Sequence, residues 1–274
     1  MRIRIVVISV VAALASLAVV PAASAEPPEF GRCLKQATKA LTNFDSARCV
    51  KRANEDAGTE EEQLKKGNYG WFPGVVKRQF TTALAPSTLA TFETVTANKL
   101  VCTGQTGIGE YMNSKQVGKV VFKLTGCESG SLKCESAGGG SGDVTTASLA
   151  GTLGFETITE DQPVRDRLAL ELHAEGGGDI AQFSCGGLAH RIGGSFMRRL
   201  AANAMKLSAT DKFTESKGRQ KPDHFAGGVP GQHVLEWDNA GGPFEQAGLA
   251  MAETTTNEEK VEASTVDCLC AEPE

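Results

Sequence analysis

Four histidines, His173, His190, His224 and His233, are the side chains in this sequence best suited to move protons or hold a metal near neutral pH. Two of them stand in its densest polar stretch, where Asp223-His224-Phe225 is followed by His233, Glu236, Trp237, Asp238 and Asn239. Asp223, His224, His233 and Glu236 form a candidate divalent-metal set, and carboxylates from the same stretch a candidate acid and base for a secreted hydrolase. Against this, the chain has no His-Glu-x-x-His helix, no Gly-x-Ser-x-Gly elbow and no calcium loop. The leading reading is therefore the plainer one: a solvated loop that tucks Phe225 and Trp237 into a core, with no metal and no cofactor.

Sulfur is the other reactive group. Cys33, Cys49, Cys102, Cys127, Cys134, Cys185, Cys268 and Cys270 make an even count, which in an exported chain reads as a set of disulfides. Finger-like pairs are missing, so zinc is not expected. Connectivity does not follow from sequence, and the shortest spacings favour Cys33 with Cys49 and Cys127 with Cys134. Cys102 would then join Cys185 across two distant strands, leaving Cys268 and Cys270, one residue apart, to each other or to other partners.

The elements that must position these groups are mostly strands. In Val117 to Cys127, residues Val120, Phe122 and Leu124 alternate with Lys119, Val121 and Lys123, the period-two pattern of a strand with one wet face. Glu128 to Lys133 is short enough for a hairpin loop. Further alternating runs cover Leu89 to Thr94, Lys99 to Thr103, Gly107 to Met112, Ala150 to Ile158, Ile180 to Cys185, Ala189 to Phe196, Lys212 to Ser216, Leu249 to Ala252 and Lys260 to Val266. Arg167 to Ala174 reads as half exposed, with Leu168, Leu170 and Leu172 on its inner face. Strands separated by Gly, Asn, Asp and Ser turns predict a mainly β protein, an antiparallel sandwich or barrel-like sheet.

Helix is expected in two short places only. Phe30, Cys33, Leu34, Ala37 and Leu41 follow helical spacing, and Leu200 to Leu207 has room for a turn or two. Trp71 and Phe72 read as a core plug in a turn-rich segment, with a ligand platform as the alternative, and Phe244, delivered by Gly241-Gly242-Pro243, as a core residue. Ser136 to Gly142 reads as a loop without the Gly-Lys-Ser of a phosphate cradle. The basic pairs Lys65-Lys66, Lys77-Arg78 and Arg198-Arg199 read as solvated surface.

Arg2 and Arg4, an uncharged run from Ile5 to Val20 and Ala23-Ser24-Ala25 form a secretory signal, with cleavage expected before Glu26. The expected organisation is 1–25 signal, 26–66 disulfide-closed segment and acidic linker, 67–266 a mainly β domain of one or two sub-sheets, and 267–274 tail. Removing Arg2 and Arg4 leaves 28 − 2 = 26 basic against 33 acidic side chains, a formal charge of −7. That balance, with no basic patch, excludes a nucleic-acid binder, and no later segment is apolar enough for a membrane span.

Several motifs carry a resemblance: Trp71-Phe72-Pro73-Gly74, Gly118 to Cys127, Phe183-Ser184-Cys185-Gly186-Gly187, Ser216 to Pro222 with Phe225, Gly241 to Leu249, and Thr256 to Glu262. Over most of its mature length the chain resembles an uncharacterised family of secreted actinobacterial proteins. No activity comes with that resemblance, so no catalytic role is transferred. The Ser216 to Pro222 loop reads first as a device that keeps a sheet edge soluble, with recognition of an anion such as an acidic wall polymer as the alternative. The function expected is non-enzymatic: an exported binding or structural protein of the envelope or extracellular space, with a cell-wall or extracellular polymer as the candidate partner.

Overall fold

The computed structural model describes residues 28–37, 44–47, 49, 67–157, 167–201, 205–222, 225–226, 234–238 and 240–264. The expected signal segment, the acidic linker, the tail, Cys268 and Cys270 lie outside them, as do Asp223, His224 and His233. Strands β1 (Glu29–Lys35), β2 (Tyr69–Pro73), β3 (Gln79–Leu84), β4 (Ala90–Thr94), β5 (Lys99–Cys102) and β6 (Gly104–Tyr111) come first. They are followed by β7 (Gln116–Thr125), β8 (Glu128–Ser129), β9 (Leu132–Glu135), β10 (Val144–Thr145), β11 (Leu149–Thr157) and β12 (Arg167–Ala174). The last six are β13 (Ala181–Cys185), β14 (Leu188–Arg199), β15 (Lys206–Glu215), β16 (Gln220–Lys221), β17 (Leu235–Asp238) and β18 (Phe244–Ser264).

Followed from strand to strand, the antiparallel pairings close on themselves twice. One ring runs β7, β6, β3, β18, β15, β14, β12, β11 and back to β7. The other runs β18, β4, β5, β8, β9, β13, β14, β17 and back to β18. Both contain β14 and β18, so the molecule is two barrel-like rings joined through two long strands. Strand β14 uses Leu188 to Gly194 in the second ring and Ser195 to Arg199 in the first. Strand β18 pairs with β17 and β4 up to Ala250 and with β15 and β3 from Met251. A ring of about eight strands is just wide enough for side chains to fill, and both interiors belong to one contiguous apolar core.

The strand at β7 packs as its alternation predicts: Val120, Phe122 and Leu124 are buried, and Phe122 meets Phe196 and Phe213 inside the first ring. Strand β12 does not stay half exposed. Ala169 and Glu171 on its outer face are buried too, because Phe225 packs on Ala169 and Met197 and the Ser195 hydroxyl donates to Glu171 Oε1 at 2.9 Å. The expected loop residue Phe225 thus forms a second, smaller core outside the barrel, and Trp237 is fully buried inside the second ring.

The predicted N-terminal helix is strand β1, which pairs with the end of β18 and with β2. Of the second predicted helix, Leu200 and Ala201 are irregular and Lys206 and Leu207 open β15. Trp71 is a plug as expected, but in a satellite cluster with Cys33, Cys49 and Phe44.

Of the expected disulfides, Cys33–Cys49 forms, while the other two pairs are corrected to Cys102–Cys127 and Cys134–Cys185. The hairpin between Cys127 and Cys134 exists as β8 and β9. Each of its cysteines, however, bonds to the neighbour on the outer side. Val101 opposite Glu128 places Cys102 opposite Cys127, and Cys185 is directly opposite Cys134, with Cα separations of 4.0 and 4.1 Å. Both bridges therefore staple the second ring, across joints made by its shortest strands. Three disulfides are compatible with a disulfide-stabilised protein of an oxidising, extracellular environment, and no helix among the described residues is long and apolar enough to cross a membrane.

Candidate functional site

Three groups of titratable side chains stand out, two inside the rings and one outside. In the lumen of the first ring, Arg198 on β14 donates to Glu253 Oε1 on β18 at 3.0 Å and lies 3.7 Å from Asp211 Oδ2 on β15. All three are buried. Gln105 Nε2 donates to Glu253 and to Thr82, while Asp211 accepts from Thr255 Oγ1 and the Ala201 amide. Burial pushes the Glu253 carboxyl up, against the opposing pull of Arg198. Burial alone would depress Arg198, but the charges of Asp211 and Glu253 outweigh it and hold the guanidinium above its ordinary value. Burial also raises the Tyr111 phenol, whose hydroxyl donates to Asn257 Oδ1 at 2.9 Å. The adjoining cavity, about 50 Å³, has room for a few waters. Such a cluster can hold strands in register.

This cluster overturns the reading of Arg198-Arg199 as surface. Arg198 is 2% exposed, and Arg199 pairs with the buried Glu156. Its signal in the sequence was the alternation itself: Arg198 is two residues beyond Phe196 and so shares its inward face.

In the second ring His190 stacks on Phe183 with centroids 5.4 Å apart and packs edge-on against Trp237. Its Nδ1 accepts the Ala240 amide at 3.2 Å, and burial lowers its pKa. A neutral, ring-packed imidazole with an occupied nitrogen is a core histidine. Beyond the ring, Arg191 donates to Asp238 and lies 4.8 Å over the Phe244 ring. Phe244 is thus held on the surface, 38% exposed, and not delivered into the core.

The third group faces solvent where the rings divide. Glu236, the one described member of the predicted set, is half-buried on β17 and lines an open cleft of about 320 Å³ with His173, Gly177, Gly178, Gly194 and Val234. His173 belongs to β12 of the first ring and Glu236 to β17 of the second, so the cleft spans the seam. Gly194, where β14 changes rings, has φ +80°, and a Cβ there would sit 1.9 Å from the Val234 carbonyl oxygen. A second cleft of about 190 Å³ lies on the other side of Val234, lined by Arg219, Lys221, Leu235 and Gln246 among others. Among the described residues no group of three or more His, Cys, Asp or Glu side chains could hold a metal ion.

The chain matches no family model, no curated protein and no solved structure.

Proposed function

We propose that this is an exported binding protein of the extracellular space or cell envelope, akin to the secreted actinobacterial proteins it resembles, that holds a polymer on its outer surface without catalysis. One observation carries the reading. Both ring interiors are packed with side chains, leaving an opening of about 50 Å³ beside the Arg198 cluster, whereas two larger depressions among the described residues, about 190 and 320 Å³, lie outside, on either side of Val234. A lipid or small-molecule carrier needs the opposite arrangement, a barrel with a hollow interior. The buried histidine and the Arg198 cluster are engaged in packing and pairing and supply no acid or base at a surface. Incubating the oxidised, secreted protein with isolated envelope and culture polymers and pelleting the complex tests this: co-sedimentation is expected. Turnover of a wall polymer that disappears in Glu236→Gln while the melting temperature stays unchanged would replace it with the hydrolase reading.

A further inference from the structure

We infer that the two clefts beside Val234 are one extended site for an acidic glycan, with Arg219 and Lys221 receiving its carboxylates and Glu236 and His173 its hydroxyls. The inference rests on the binding role proposed above and names its ligand. Val234 lines both clefts and is 38% exposed, so a chain laid across it contacts both. The two ends differ in chemistry. The smaller cleft is lined by Arg219 and Lys221, in a protein whose formal charge is −5. The larger has a carboxylate, an imidazole and two exposed glycines, groups that accept from and donate to hydroxyls at close backbone approach.

The basic end is built, not merely exposed. Ser216 and Arg219 exchange backbone hydrogen bonds, and Glu215 Oε2 accepts the Gly218 amide at 2.9 Å. At Gly218 a Cβ would lie 2.2 Å from the Thr94 carbonyl, and at Gly248 one would lie 3.0 Å from the Arg219 carbonyl carbon. The turn is therefore seated closely on two strands, against the Thr94 backbone at one and, with the Cβ of Glu215, against Gly248 at the other. The Arg219 guanidinium donates to Gln246 Oε1 from β18, which sets its direction and leaves its other donors for a carboxylate. Ordering a cation before binding lowers the entropic cost of contact.

Affinity electrophoresis of the full oxidised chain through gels containing polygalacturonate, neutral dextran or duplex DNA tests the assignment. Retardation by polygalacturonate alone is expected, weakening with salt. Arg219→Gln with Lys221→Gln should weaken it at least about tenfold, while Lys217→Gln, in the same turn but outside the cleft, leaves it unchanged. His173→Gln with Glu236→Gln should weaken it less, at every salt concentration. Unchanged melting temperatures exclude misfolding as the cause. Equal retardation by DNA, or retention that survives the Arg219 and Lys221 changes, overturns the inference. If the protein binds envelope polymers yet these variants bind equally well, the inference fails and the binding role stands. If it binds no polymer at all, both fail.

Discussion

At the scale of single residues, burial is what separates the structural charges from those open to a ligand. Arg198 compensates two buried carboxylates, so removing it leaves both without their cation. Arg198→Met should therefore lower unfolding stability by about 3–5 kcal/mol, whereas Glu253→Gln, which removes a charge that burial already disfavours, costs less. Urea melts of the two variants check the order, and a smaller loss in Arg198→Met than in Glu253→Gln would contradict it. His190 makes a pH prediction. Its folded pKa lies below the ordinary 6.5, so in the window between the two values the unfolded chain binds more protons. Its contribution is then complete above 6.5 and is lost as pH falls toward the folded value. The slope of unfolding free energy against pH just below 6.5 should flatten in His190→Gln; an identical slope in both proteins would show that His190 does not titrate between the states.

At the scale of elements, strands whose inward positions are apolar were legible from alternation alone, β7 and β12 most clearly. Those whose inward positions are polar were not. From sequence, strand β18 reads as two short pieces because Glu253 and Thr255, its inward residues in the middle, look like loop residues until their partners Arg198 and Asp211 are known. Strand β3 hid for the same reason behind Thr82, and β17 because it is only four residues long. The cleft is half legible: Glu236 stands in the densest polar stretch of the sequence, but His173 comes to it through pairings between strands of different rings, which no local pattern encodes. The disulfides failed similarly, since sequence proximity favoured the hairpin and sheet order decided otherwise. Digestion of the unreduced protein should yield Cys102 linked to Cys127 and Cys134 to Cys185, and a peptide joining Cys127 to Cys134 would refute this arrangement. Loop-closure entropy ranks the bridges as well. Cys134–Cys185 spans 51 residues and Cys33–Cys49 only 16, so replacing each pair by alanines should cost about 4 and about 3 kcal/mol respectively. The gap should be wider in practice, because the first closes a ring and the second clips a satellite cluster.

At the scale of the whole molecule, two rings that share β14, β18 and one continuous core have no boundary along which to come apart. Unfolding the second ring frees Leu188 to Gly194 and Phe244 to Ala250, and with them the alignment of Ser195 to Arg199 and Met251 to Asn257 in the first. The Arg198 to Glu253 contact is made between these same two strands, so its loss would release the tie that holds them together inside the first ring. Despite a length that could accommodate two domains, the protein should unfold in one transition. Hydrogen exchange offers the sharper view: amides of Phe122 in the first ring and Leu249 in the second should open with the same free energy. Gly194→Ala makes the coupling testable at one position. The substitution forces a side chain into positive φ and against the Val234 carbonyl, at the point where β14 passes from ring to ring. If the rings are one unit, both amides lose protection by the same amount; protection lost at Leu249 and kept at Phe122 would mean that the shared strands connect the rings without coupling them.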